Sequence, residues 1–496
     1  MRLKAKLLSI ESGGPFVIVL NPKIAKELDV APSDRVRIMA EKKYAVAIAD
    51  FSSTVAENEI GIFQEVQKLL NISADQPVTI IPEEKPYSIQ NIKKKLDGLE
   101  LNKDEIFEIV TDIVDNRLTQ AEIASFVTAV YARGMSLDEI EHLTRAMAET
   151  GQILHLPVKP VADVHSIGGV PGNRTTMLIV PIIAAAGIYI PKTASRAITD
   201  CAGTADTMEV LAPVDLSLDE IKDIVIEHHG CIVWGGSLDI APADDDIVEI
   251  ERPLQLDPTA MLLASIMAKK FAAGATDVLI EIPYGPGTKC TKPRANELEK
   301  KFLALGGRLG IRLKINKTDG SQPVGRGIGP ALEARDVLWI LEKNELGPLD
   351  LRNRSVYIAG LILELVKKAR PGTGFKAAEK LIENGEALKK LKEIIAAQGG
   401  DPKITSSDIQ IGKYDETISA ERTGTIQAID NDIIKRIGRH LGAPYNKGAG
   451  LYVYAKVGDK VKEGDKLFTV YAESGRKLAE GLEFAEANNP YKIKSQ

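Results

Sequence analysis

Two short stretches concentrate side chains suited to holding anions. The first, DVHSIGGVPGNRTT, runs from Asp163 to Thr176. Its glycines and Pro171-Gly172 let the backbone come close to a ligand, because glycine reaches positive φ without a Cβ penalty. Ser166, Thr175 and Thr176 supply hydroxyls. The pattern predicts a helix beginning near Thr175, whose N-terminal N–H groups and dipole favour an anion. The spacing matches neither a P-loop nor a dinucleotide-binding glycine fingerprint. The second stretch, SRAITDCAGTADTMEVL, runs from Ser195 to Leu211. Arg196 can grip a phosphate or a base edge as a fork. The hydroxyls of Ser195, Thr199 and Thr204 suit sugar or phosphate oxygens, and Ala202-Gly203 permits close packing. Asp206 and Glu209 stand where the next helix begins, so helix capping is their expected role.

These stretches need a scaffold that aims them at one place. From about 161 the sequence alternates short β-like runs, KPVADVHSI, CIVWGG, DVLIEIPYG and LKINKTDG, with helices such as Leu218 to His228 and Ala295 to Leu305. That alternation predicts an α/β layer with a largely parallel sheet. Ligands in such sheets collect at the strand C-terminal ends. A third loop, PYGPGTK with Lys289, follows one of the strands, so the three loops are expected to sit together. The apolar run Met177 to Ile190 reads as one buried helix leading into the second stretch.

The flanks read as separate domains. Over residues 1–86, KELDVAPSDRVRI and KLLNISADQPVTI repeat helix, turn and strand at an offset of 42 residues. This echo predicts a pseudo-symmetric, β-rich barrel. It resembles the double-psi barrels at the front of some AAA ATPases, and its expected role is assembly or docking. Residues 87–160 read as a helical lobe, joined by helices around 238–272. Three of its helices open with capping patterns: Asn102 with Glu105, Thr119 with Glu122, Ser136 with Glu139. Residues 161–410 form the α/β phosphate- and nucleotide-binding domain, and 411–496 a C-terminal α+β, barrel-like domain rich in hairpin sequence. Its GLYVYAKVGDKVKEGDKLFTVYAES resembles the hairpin of biotinyl and lipoyl carriers, but Tyr471, Ala472, Glu473 and Ser474 stand where those carry the modified lysine's motif. No attached prosthetic group is expected.

The ordered motifs S-R-x-x-x-x-x-x-G-T-x-D-x-x-E, D-x-H-S-x-G-G-V, IAPADD, ASIMAKK, DVLIEIPYGPGTK and ALEARDV resemble the thymidine/pyrimidine-nucleoside phosphorylase family from about 88 to the C-terminus. The chain departs from thymidine phosphorylases at Val164, where they have Lys, and at Pro171-Gly172-Asn173, where they have Gly-Asp. Their base-holding Arg falls near Ile250, with Arg252 the nearest arginine. With the extra N-terminal barrel, this combination resembles the archaeal AMP phosphorylases. That resemblance implies phosphorolysis of nucleoside 5′-monophosphates, AMP and also CMP and UMP, to free base and ribose 1,5-bisphosphate. It implies nucleotide contacts at Gly169, Ser195, Arg196, Ala197, Ile198, Thr199, Asp200, Thr204, Ser265 and Lys289, with Ser166 the phosphate-binding candidate. It implies Asp257 as proton donor, with His165 the alternative carried over from thymidine phosphorylases. Asp257 before Pro258 also reads as a helix cap, which holds a carboxylate ionised, whereas a donor needs a raised pKa; burial against Leu254, Leu256 and the bound base is the expected remedy. Ser265 and Lys269, four apart, share a helix face.

Composition narrows the partners. Net charge is −6, with 63 basic against 69 acidic residues, so any anion site is local and nucleic acid is not an expected partner. Cys201, Cys231 and Cys290 form neither a disulfide framework nor a metal clip, which fits a reducing cytoplasm. No apolar run reaches the roughly 20 residues of a membrane span. No cofactor is expected, phosphate being a substrate, and the expected assembly is at least a homodimer. The competing readings are a pyrimidine nucleoside phosphorylase, a metal-dependent phosphoribosyltransferase, and a scaffold built round an inactive core.

Overall fold

The computed structural model describes residues 1–198 and 200–495. The chain divides into two compact units, Met1–Gln152 with Ala241–Ala268, and Ile153–Ile240 with Lys269–Gln496. Among the described residues no helix is long and apolar enough to cross a membrane.

In the first unit six strands close a barrel. The duplicated sequence is visible in its backbone. Asp29 and Ser33 take φ of 53° and 70°, and their counterparts Asn71 and Asp75 take 54° and 60°. Val19 pairs with Gly61 and Ile38 with Ile80, each opposite its own counterpart, so a pseudo-twofold relates the halves. Ile18, Ile38, Ile60, Ile62 and Ile80 fill the interior. Each contributes about 1.5–3 kcal/mol relative to exposure. The helices Lys103–Val114, Gln120–Arg133 and Leu137–Glu149 all carry complete capping boxes. Glu105 N–H donates to Asn102 Oδ1 at 3.0 Å and Asn102 N–H to Glu105 Oε2 at 2.8 Å, and such a cap stabilises by about 1 kcal/mol. Glu139 does more than cap: it also accepts from buried Lys95 at 2.7 Å and from Leu101 N–H.

The second unit is built on parallel strands. Arg312–Asp319, Asp277–Tyr284 and Ala162–Ser166 lie side by side, and a bridge between Val161 and Tyr189 continues to Ile190–Ala194 and Gly230–Trp234. The four expected strands form. The expected single helix from Met177 to Ile190 does not. Helix Thr175–Ala185 ends, Gly187 turns the chain at φ 76°, and Ile190–Ala194 is a strand. The sequence IPKTA hides it, because Pro191 and Lys192 interrupt the apolar run that an internal parallel strand usually shows. Helix Thr175–Ala185 is apolar on every side because it is covered, packing on helices Leu349–Leu365 and Glu386–Ala397. Further on, Gly327–Ile328, Gly450–Val453, Lys466–Ala472 and Tyr414–Ser419 form a four-stranded sheet. Lys460–Val461, Gly424–Ile429 and Tyr491–Lys494 form a three-stranded one. Helices Asn431–His440 and Gly475–Ala487 pack with them over Ile437, Leu451 and Phe468.

Candidate active site

The C-terminal ends of the parallel strands bring the three loops to one side of the sheet. Ala162–Ser166 runs into the first glycine loop, Asp277–Tyr284 into PYGPGTK, and Ile190–Ala194 into the second stretch. Gly169 takes φ of 93°, and a Cβ there would stand 3.0 Å from the Lys289 amide nitrogen and 3.3 Å from Thr288 Cα. Glycine alone lets these two loops pass so closely. Arg174 bridges the first loop to the second, donating to the Glu333 carboxylate and to the Ala202 carbonyl. Thr207 donates to the same Glu333 at 2.8 Å. Burial pushes the Glu333 carboxyl up to about 7, against the pull of Arg174 and Thr207. No side chain caps helix Thr175–Ala185, so its positive pole faces the first loop undiminished.

Beneath the first loop lies a buried charge cluster. Lys270 Nζ stands 2.7 Å from Asp163 Oδ2, and Lys192 Nζ 3.5 Å from Asp163 Oδ1. All three side chains are buried. Two residues along the strand from Asp163 stands half-buried His165. Desolvation pushes its imidazole well below the ordinary value, and the ammonium groups of Lys270, Lys192, Lys269 and Lys289 push it further. His165 is therefore neutral at pH 7. Asn173 donates to Glu281 at 3.1 Å, and Glu281 is itself held by Thr318 and Arg354, which fixes the loop. The Ser166 hydroxyl and Asn173 Oδ1 are buried with no hydrogen-bond partner among the described residues. Such atoms cost free energy until a ligand completes them.

Gly203 packs against the backbone of Ser195, Arg196 and Ala197. Asp206 accepts from the Gly203 and Ala197 N–H groups at 2.8 and 2.7 Å, so it caps helix Thr204–Met208 and closes the turn as well. Glu209 does not cap. It takes the Arg196 fork at 2.7 and 2.6 Å and Lys447 at 2.6 Å. Arg196 hydrogen-bonding first, with Lys447, holds the Glu209 carboxyl down at about 2. The Arg196 guanidinium lies 4.7 Å from the centre of the Trp234 ring. Arg196 is thus committed to Glu209 in this structure, not presented as an open fork. Ser195 and Ile198 are exposed, and Ala197, Asp200 and Thr204 half-buried; Thr199 lies outside the described residues. From helix Asn431–His440, Arg439 donates to the Ile198 carbonyl at 3.0 Å and Lys435 stands 3.7 Å from Asp200. Cys201 is buried against the same helix.

Asp257 and Ser265 belong to the first unit. Asp257 is exposed and Leu254 is 42% exposed, so the apolar burial expected around Asp257 does not form there. Helix Thr259–Ala272 opens with Leu262 N–H donating to the Pro258 carbonyl. Ser265 and Lys269 are both half-buried while Ala264, Met267, Ala268 and Lys270 are buried, so the pair does share one face. Ile250 is buried within helix Pro242–Leu254 and Arg252 is exposed. The sequence alone did not single out Lys192, Glu281, Glu333 or Arg439. Lys192 sits in the strand that was missed, and the other three act by packing partners distant in sequence.

Among the described residues no group of three or more His, Cys, Asp or Glu could hold a metal ion. The helical bundle domain of the glycosyl transferase family matches residues 89–151, and its a/b domain matches 158–281. The pyrimidine nucleoside phosphorylase C-terminal domain matches 425–493. The chain is 48% identical over 494 residues to the AMP phosphorylase of Thermococcus kodakarensis, covering 99% of this chain and 98% of that one. It is 47% identical to that of Pyrococcus furiosus over the same shares, and 45% identical to that of Methanocaldococcus jannaschii, covering 99% and 97%. Among solved structures, anthranilate phosphoribosyltransferase from Thermus thermophilus superposes with a TM-score of 0.54 at 20% identity, over 62% of this chain and 98% of that one; this likeness is one of fold.

Proposed function

The chain belongs to the AMP phosphorylase family, and from that premise we propose that it uses inorganic phosphate to split nucleoside 5′-monophosphates. AMP gives adenine and ribose 1,5-bisphosphate; CMP and UMP react likewise. Phosphate is the second substrate, and no cofactor takes part. The observation that carries the reading is the buried cluster beneath the first glycine loop, where Lys270 and Lys192 share the single carboxylate of Asp163, with the Ser166 hydroxyl and Asn173 Oδ1 unsatisfied in that loop. It is a place for an anion in a chain of net charge −6.

In the reaction a phosphate oxygen bonds to C1′ as the C1′–N bond breaks, and the bonding pair leaves with the base, which takes up a proton. The sugar passes through an oxocarbenium-like state. The protein's work is to hold two anions in line and steady the charge that develops. Ser166 lines the phosphate side, and Gly169, three residues on, meets the nucleotide. Ser195, Ala197, Ile198, Thr199, Asp200 and Thr204 hold the nucleotide, with Arg196 and Asp206 shaping that turn. Ser265 meets the base, and Lys289 reaches a phosphate or base oxygen. Asp257 gives the proton. Asp257 is exposed, so the bound base must close over it. The neutrality of His165 supports this choice, because a neutral imidazole is a poor acid.

The N-terminal barrel is of the double-psi type and serves assembly. The chain forms at least a homodimer through its helical lobe, and it works in cytoplasmic nucleotide degradation. Adenine release from AMP is expected to require phosphate and to exceed release from adenosine or thymidine. A preference for nucleosides lacking the 5′-phosphate overturns the nucleotide reading. Turnover of Asp257→Asn at saturating substrates is expected to fall far more than that of His165→Asn, and unchanged turnover in the Asp257 variant removes it as donor.

A further inference from the structure

Strand Ile190–Ala194 is buried along its whole length, yet its central residue is a lysine. Lys192 is 5% exposed, Lys270 1% and Asp163 0%. Lys270 makes the close pair with Asp163 at 2.7 Å, and Lys192 stands at 3.5 Å from the other carboxylate oxygen while donating to the Thr193 carbonyl at 2.6 Å. One carboxylate cannot balance two ammonium groups. On the same sheet lie His165, which is neutral, and Cys231 on the flanking strand Gly230–Trp234, whose thiol burial pushes up to about 12. The cluster therefore carries an unbalanced positive charge inside the sheet, at the root of the loop that ends in Ser166 and Gly169.

A buried, unbalanced charge is an odd thing for folding to keep. Removing Lys192 leaves Lys270 and Asp163 as a balanced pair, and uncompensated buried charge is costly. We propose that Lys192 is a positioning residue for the phosphate substrate, a buried ammonium whose charge is balanced only when the phosphate dianion occupies the first glycine loop. This rests on the phosphorolysis reading. Burial and Lys270 push the Lys192 ammonium down to about 7, against the pull of Asp163, so its charge is partly lost in the empty site and restored by the anion. Desolvation, and after it the ammonium groups of Lys270 and Lys192, holds His165 neutral.

The test is steady-state kinetics with phosphate and AMP varied separately, on the wild-type chain, Lys192→Met and Lys192→Arg, with melting curves for each. Lys192→Met is expected to fold at least as stably as wild type. Its KM for phosphate rises by about tenfold or more, the equivalent of one pKa unit of interaction, while its KM for AMP and its kcat stay within about twofold. Lys192→Arg restores most of the phosphate KM. The ratio of Lys192→Met to wild-type KM for phosphate shrinks as pH rises above about 7, since wild type then loses the same charge; phosphate's own titration cancels in that ratio. An unchanged phosphate KM in Lys192→Met, a lowered melting temperature with both KM values raised together, or Lys192→Arg as impaired as Lys192→Met each overturns the proposal. Absence of phosphate-dependent cleavage in the wild type overturns the function reading instead. In that case, equilibrium dialysis of phosphate against wild type and Lys192→Met still reads the charge directly, and equal binding by the two overturns the proposal.

Discussion

The two glycine-containing loops of the second unit handle charge in opposite ways. Around the first, Lys192 and Lys270 share Asp163, and two further lysines act on His165. Around the second, Arg196 and Lys447 are matched by Asp206 and Glu209, with Asp215 3.6 Å from Arg196. The first loop is left in deficit of an anion. The second is neutralised within itself and offers backbone and hydroxyl groups on a rigid frame. On the proposed reading the two anions are met differently: the first loop attracts by charge, the second holds by shape.

The sharpest way to break this contrast is Asp163→Asn, which leaves two buried ammonium groups without a counter-charge. It is expected to lower unfolding free energy by about 3–5 kcal/mol in urea titrations, and Lys192→Met in the same chain recovers part of that loss. A loss no larger than that of a surface mutation would show that the first loop is not in charge deficit. Next in size is Gly169→Ala. A side chain at φ 93° against the Lys289 backbone costs about 1–3 kcal/mol and pushes the first and third loops apart, so the KM for phosphate rises. If thermal melting and that KM are both unchanged, the close passage of the loops is not needed.

The smallest effect is expected in the second loop. Glu209→Gln removes one partner of Arg196 and Lys447 in a half-exposed network, a loss of about 1 kcal/mol at neutral pH. The sign with pH follows from the carboxyl sitting near 2 in place of its ordinary 4.5. The folded state releases this proton more readily than the unfolded chain. Its stabilisation is therefore present above about pH 4.5 and disappears as pH falls towards 2. Acid unfolding of Glu209→Gln should be shallower over that window than that of wild type. Equal slopes would mean that Glu209 is not held by Arg196 in solution.

Local signals carried most of the architecture. The capping boxes at Asn102, Thr119 and Ser136, the duplicated helix-turn-strand unit and the four parallel strands were readable because each is written in adjacent residues. Strand Ile190–Ala194 was not, since a lysine inside a sheet contradicts the pattern that marks buried strands. The same contradiction concealed Lys192. Arg196 was legible as a chemically apt residue but its engagement was not, because Glu209 reaches it only once the turn has folded, with Lys447 of the C-terminal segment on the same carboxylate. The expected burial of Asp257 failed for a related reason: neighbouring leucines in sequence do not guarantee a wall in space.

Arg439 reaches the Ile198 carbonyl across 241 residues of chain, and Cys201 seats on the Lys435 carbonyl across 234. The turn read as nucleotide-holding is thus fastened by a segment made near the end of synthesis. A ribosome emits the barrel, the helical lobe and the parallel strands first, and segments fold as they emerge. Until helix Asn431–His440 appears, Ile198, Asp200 and Cys201 lack their clamp. Prematurely ended chains would then carry every motif of the two glycine loops and still lack a finished site, which makes catalytic competence a readout of complete translation.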